Sequence, residues 1–178
     1  MTVGNRMFIV LVTLSACVSW DQATKLLARL LLAGRHPMSL WGNSVRFEYA
    51  ENVGAFLGLG DQLSDPMRWI LLVAMASLLL VGLTLFIYLK HDLTPVETLG
   101  YGLILAGGTS NVFNRIMSGY VIDFLNVGFG GLRTGIFNVA DVSILIGFVI
   151  VTWQRWVSVQ LATVENCNDR EGSNLWTP

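Results

Sequence analysis

From Trp69 to Leu89 the sequence WILLVAMASLLLVGLTLFIYL contains no charged residue. At about 1.5 Å of rise per residue a helix of this length crosses a hydrocarbon core of about 30 Å. Lipid offers the backbone no hydrogen-bond partner, so such a run must satisfy its own amides as a helix. The rest of the chain is of the same kind. Its 178 residues are 53% hydrophobic and 13% charged, with a mean hydropathy of +0.60, too apolar for an ordinary soluble domain.

Three weaker windows accompany the first: Met7 to about Ala33, broken by charges; Thr98 to Phe113, after Pro95; and Ile136 to about Trp153, which contains Asp141. The fold class expected is therefore an α-helical membrane protein with four transmembrane helices (about 7–33, 69–89, 98–115 and 136–156) in a single domain over 1–160. A net charge of −1 without any Lys/Arg cluster argues against a nucleic-acid partner. Cys17 and Cys167 have no metal or disulfide spacing. Residues 161–178 read as a polar, irregular tail.

Leu14-Ser15-Ala16-Cys17, preceded by Arg6 and an apolar run, has the letters of a lipobox. A membrane helix rich in Leu, Ser and Ala produces the same tetrapeptide, and the residues after Cys17 do not resemble a mature N-terminus. Residues 21 to 33, DQATKLLARLLLA, continue the helical pattern while Asp21, Lys25 and Arg29 recur every four residues along one face. An acid at the edge of a span is costly unless it faces a protein interior or watery cavity with a partner, here Lys25. The alternative is an ordinary solvated pair at the membrane surface.

Between 34 and 67 the chain turns rich in Gly and Pro, and Val45, Phe47 and Tyr49 alternate with Arg46, Glu48 and Ala50, the period of a strand with one buried face. A small extramembrane β element at about 40–60 is expected, since a strand edge cannot lie open in lipid. Asn52, beside the stretch NVGAFLGLG, would face whatever cavity it covers.

Asp123 in GYVIDFLNVG and Asp141 in GIFNVADVSILIG stand out by their apolar surroundings. If Asp141 opens a helix that includes Asn138, the two share a face, and Ala140 leaves room for a neighbouring segment. Two carboxylates in a poorly solvated site repel each other, so one keeps its proton and the pair works as acid and base together. Metal binding is the rival use of paired acids, but only His36 and His91 are available and neither has ligand spacing to them. No metal or cofactor is implied. The third span ends in GGTSNVFNRIMSGY, where small residues permit close helix approach and Asn111, Asn114 and Arg115 share a face. Arg115 has the alternative of snorkelling to the interface.

The blocks DQATK, ENVGAF, GGTSNVFNR with GYVIDF, and FNVAD, in this order across four spans, resemble the lipoprotein signal peptidases, or signal peptidase II family. The resemblance implies a membrane aspartyl endopeptidase in the bacterial cytoplasmic (inner) membrane, with both termini cytoplasmic and a β-cradle and active site towards the extracytoplasmic face. It matches Asp123 and Asp141 to the catalytic pair. Asn52, Asn111, Arg115 and Asn138 match supporting polar residues, and Asp21 and Lys25 the first block. Substrates would be prolipoproteins carrying diacylglyceryl on the lipobox cysteine, cut just before it; globomycin-type inhibitors and membrane lipids would be the other partners, and a monomer is expected.

One position departs from the family's usual Asn-x-x-Asp-Arg: residue 114 is Asn, which keeps hydrogen bonds but not charge, so Arg115 is expected to lose an ionic partner. That departure motivates an alternative from another class, a catalytically silent homologue that binds lipidated signal-peptide helices. The positive-inside rule does not support the orientation, because more Lys and Arg fall in the segments placed outside than inside.

Overall fold

The computed structural model describes residues 1–54 and 64–174. Four helices and four strands make up the molecule: α1 Val3–Leu32, β1 Met38–Leu40, β2 Val45–Asn52, α2 Asp65–Leu89, α3 Pro95–Ser118, β3 Val121–Phe129, β4 Leu132–Arg133 and α4 Val139–Asn174. Part of the glycine-rich stretch, from 55 to 60, lies outside the described residues.

Local sequence sets the helix ends. The hydroxyl of Thr2 accepts from the Asn5 amide to cap α1. Thr94 and Glu97 form a reciprocal capping box around Pro95 at the start of α3, and Gly119, with φ 82°, ends that helix in the left-handed conformation. Helix α2 contains a π-helical stretch, Ile70–Met75.

Three helices, Val3–Leu32, Asp65–Leu89 and, within α4, Val139–Leu161, are long and apolar enough to cross a membrane. Helix α3 is the fourth member of the bundle and the least apolar, for a packing reason. It lies against all three others and buries Gly100, Gly102, Leu105, Ala106, Gly107, Ser110 and Asn111, so it meets protein where the others meet lipid. Leu78 and Leu79 of α2, 71% and 72% exposed, show the contrast. Val10, Ile87, Leu93 and Leu105 form the bundle core.

The strands form one antiparallel sheet in the order β1-β2-β3-β4. Ala50 pairs with Asp123 and Asn52 with Val121, with an irregularity between Phe47 and Ala50. The sheet seats on the helix ends through Ala28, Leu32 and Phe124, packed by Phe47, Tyr49, Ile122, Leu125 and Val139. The expected cradle at about 40–60 is thus half of the element; the other half is β3 and β4, and Asp123 stands on a strand. Helix α4 begins at Val139, three residues later than the predicted span, and its backbone stays helical to Asn174, through most of the segment read as an irregular tail.

Cys17 lies in the middle of unbroken α1. Arg6, Val10 and Thr13, upstream of it, are buried in the bundle, the arrangement of a resident span and not of a detachable leader.

Candidate active site

Asn138 and Asp141 begin α4 with a reciprocal cap. The Asn138 amide N–H donates to Asp141 Oδ2 (3.1 Å), and the Asp141 amide donates to Asn138 Oδ1 (3.0 Å). Asn138 is therefore the residue before the helix and not part of its face, as an Asn-x-x-Asp sequence allows when the helix starts between them. Its remaining polar atom, Nδ2, donates to Asp123 Oδ1 across 2.6 Å. One fully buried side chain thereby ties the first turn of α4 to β3 and one acid to the other.

The other two carboxylate oxygens also accept from amides. Asn52 Nδ2 donates to Asp123 Oδ2 (2.8 Å) and Asn111 Nδ2 to Asp141 Oδ1 (2.9 Å). Each of the four oxygens thus has one protein N–H and a further lone pair free for a water or a substrate group. Asp123, Asp141, Asn52, Asn111, Asn138 and Arg115 line a single narrow cleft. Burial pushes the Asp123 carboxyl above its ordinary range; the Asn52 and Asn138 bonds work against that shift, and the charge of Asp141 adds to it.

Behind the cleft, Asp21 and Lys25 of α1 lie 2.6 Å apart and are 1% and 2% exposed, so they are a buried pair and not a solvated one. The stripe stops there, since Arg29 is exposed. Lys25 Nζ donates to Asn111 Oδ1 and Asn114 Oδ1, both at 2.8 Å. The bond to Oδ1 forces the Asn111 amide nitrogen to face Asp141. Asp21 Oδ1 accepts from the Ala140 amide (2.8 Å), and the Ala140 carbonyl packs where a Cβ on Gly107 would overlap it. Ala140 does leave room for a neighbour, the backbone of α3.

Arg115 does not snorkel. Its Nη2 donates to Gly54 O (2.5 Å) and its Nη1 to Asn111 O (3.5 Å), which links α3 to the end of β2. Asn114 faces away from it, exchanging two 3.1 Å bonds with Gln22. The cation beside position 114 is Lys25, so the expectation that Arg115 loses an ionic partner is corrected: a charge at 114 would act on Lys25. Gln22 and Ser110 were missed by sequence reasoning. Gln22 is off the Asp21–Lys25 face, and Ser110 reads as a small packing residue; only the packing of α1 on α3 brings them together.

The model of the family described as Signal peptidase (SPase) II matches residues 13–157. The chain belongs to the signal peptidase II family. It is 36% identical over 126 residues to a lipoprotein signal peptidase of Synechocystis sp., covering 71% of this chain and 73% of that protein. The lipoprotein signal peptidase of Chlorobium phaeobacteroides (strain BS1) is 35% identical over 143 residues, 75% of this chain and 87% of its own. A solved structure of a bacterial membrane enzyme shares the fold with a TM-score of 0.72 at 22% identity, covering 89% of this chain and 92% of that one. The protein is thus a helical membrane peptidase of the signal peptidase II family, and the aspartic chemistry of such an enzyme has its two carboxylates available in the cleft.

Beside the cleft runs an apolar groove of about 510 Å³ along α4, lined by Phe137, Val142, Leu145 and Phe148 and reaching Asp141.

Proposed function

We propose that this signal peptidase II cleaves diacylglyceryl-modified prolipoproteins just before the lipidated cysteine, with Asp123 and Asp141 as the catalytic pair. The observation that carries the reading is the double role of Asn138, which caps Asp141 and donates to Asp123, so that both carboxylates meet on one cleft with every oxygen oriented.

One carboxylate takes a proton from a water as its oxygen attacks the scissile carbonyl. The other, protonated, donates a hydrogen bond to the carbonyl oxygen and stabilises the charge that develops there. The tetrahedral intermediate then collapses: the C–N bond breaks, the amide nitrogen receives a proton from the pair, and the new carboxylic acid stays on the signal peptide. The protons belong to the pair, and neither Asp is permanently acid or base. Asn52, Asn111 and Asn138 hold the carboxylates, Asp21, Lys25 and Asn114 hold Asn111 and the start of α4, and Arg115 holds Gly54 at the cleft edge.

The groove ending at Asp141 is apolar, which suits acyl chains or the apolar segment of a signal peptide entering from lipid. All cleft groups come from one chain, in keeping with a monomer. The reading includes inhibition by globomycin-type compounds at this cleft. It also includes residence in the bacterial cytoplasmic membrane, with the cradle and cleft towards the extracytoplasmic face.

The test is to incubate the purified protein with a diacylglyceryl-modified precursor and weigh the products. The expected products are a signal peptide ending before the cysteine and a mature chain beginning with the lipidated cysteine, both absent when globomycin is added. Return of the intact precursor, as a carrier would give, overturns the proposal.

A further inference from the structure

We propose that Ser110 is a positioning residue for catalysis, acting through Asp21 on the first turn of α4 and so on Asp141. The inference rests on the assignment of Asp123 and Asp141 as the catalytic pair.

Ser110 is completely buried on α3. Its Oγ accepts from Gln22 Nε2 (2.7 Å) and donates to Asp21 Oδ2 (2.7 Å). With the Gln22 donor fixed, the hydroxyl proton has one direction left, towards Asp21. The carboxylate of Asp21 receives three donors: Ser110 and Lys25 on Oδ2, and the Ala140 amide on Oδ1. Amides in the first turn of a helix lack partners within it, so Asp21 acts as a cap supplied to α4 from α1. A closed ring results. Asp21 binds Lys25, Lys25 binds Asn111, Asn111 binds Asp141, and Asp141 is joined through the backbone to Ala140, which returns to Asp21.

Ser110 holds this ring from outside. Without its hydroxyl, Oδ2 of Asp21 keeps only Lys25, whose ammonium is also bound to Asn111 and Asn114 on α3. The carboxylate can then turn towards α3 and away from Ala140. Asp123 stands on β3, held by Asn52 and Asn138, and receives no bond from Ser110, Asp21 or Lys25. The consequence is a change in the relative placement of the two acids, felt in the chemical step more than in substrate binding.

The experiment compares wild type, Ser110→Ala, Ser110→Thr and Asp141→Asn with a diacylglyceryl-modified precursor in one lipid and detergent mixture, recording kcat, KM and thermal unfolding. Wild-type cleavage lost in Asp141→Asn establishes the pair independently of Ser110. If Asp141→Asn stays active, the reading of the pair falls, and this proposal with it. The expected result for Ser110→Ala is a fall in kcat of about tenfold with KM held within about twofold. The unfolding midpoint stays near wild type, and Ser110→Thr restores kcat by restoring the hydroxyl. An unchanged kcat in Ser110→Ala overturns the proposal. So does a loss of kcat that accompanies a lowered unfolding midpoint and is not restored by Thr, since that is the behaviour of a purely structural residue.

Discussion

Asp123 is 2% exposed, and burial raises its carboxyl above the ordinary range despite two amide donors. Linkage sets the sign of the effect on stability. As pH rises past the unfolded value the unfolded chain loses this proton first, so it binds fewer protons than the folded chain and stability falls until the folded carboxyl ionises as well. A carboxyl raised by one pH unit costs about 1.4 kcal/mol once pH exceeds both values. Asp123→Asn has no such titration, so the wild type should lose stability relative to the variant as pH rises from about 4 towards neutrality. Unfolding midpoints of the two proteins in detergent across that range check it, and a difference independent of pH, or growing in favour of wild type, contradicts it. At this scale the sequence disclosed the two acids, their Asn supporters and the Asp21–Lys25 pair, because ionisable groups among apolar neighbours are conspicuous. It did not disclose which atom faces which. Asn114 shows why: chain order places it next to Arg115, whereas helix geometry turns it to Lys25 and Gln22.

Helices α3 and α4 meet through glycine. A Cβ on Gly107 would overlap the Ala140 carbonyl, and one on Gly147 would overlap the Gly100 carbonyl, about two turns further along α4. Backbone cannot yield as a flexible side chain does, so either addition pushes the helices apart. The two are not equivalent. Gly107 lies opposite the turn that carries Asp141, so Gly107→Ala should lower kcat by about 100-fold, as misplacement of a catalytic group by about 1 Å does. Gly147→Ala should chiefly lower the unfolding midpoint. Parallel kcat and melting measurements decide, and equal losses of kcat in both variants would contradict the distinction. The long apolar helices were legible because lipid demands an unbroken apolar run. Helix α3 was fainter for the opposite reason, since it touches protein on most sides and is built from Gly, Ala and polar residues. Strands β3 and β4 went unassigned because GYVIDFLNVG buries residues from both faces, Val121, Asp123, Phe124 and Asn126 among them, and so lacks a clean alternation.

For the whole molecule, the charge distribution that failed to indicate an orientation has a structural use. Of the cations on the cradle end, Lys25 and Arg115 belong to the cleft network and Arg68 pairs with Asp65. Arg46 and Arg133 bind Asn43 and Asn126 within the sheet. At the opposite end Arg6 is buried against Tyr88 O, and Arg155 pairs with Glu97. Charges recruited by the fold no longer report which side a loop occupies, so orientation was not legible from counting them. In a protein whose native cysteines are replaced, a cysteine at Ser39 should react with a membrane-impermeant maleimide in intact cells and one at His91 only after lysis; the reverse pattern would invert the topology. The central claim is the pair itself, and the direct measurement is cleavage of a lipidated precursor by Asp123→Asn and Asp141→Asn, each first shown to insert and to melt cooperatively. Both variants should fall by at least about 1,000-fold, as loss of an essential catalytic group does. Cleavage near the wild-type rate by either would contradict the account.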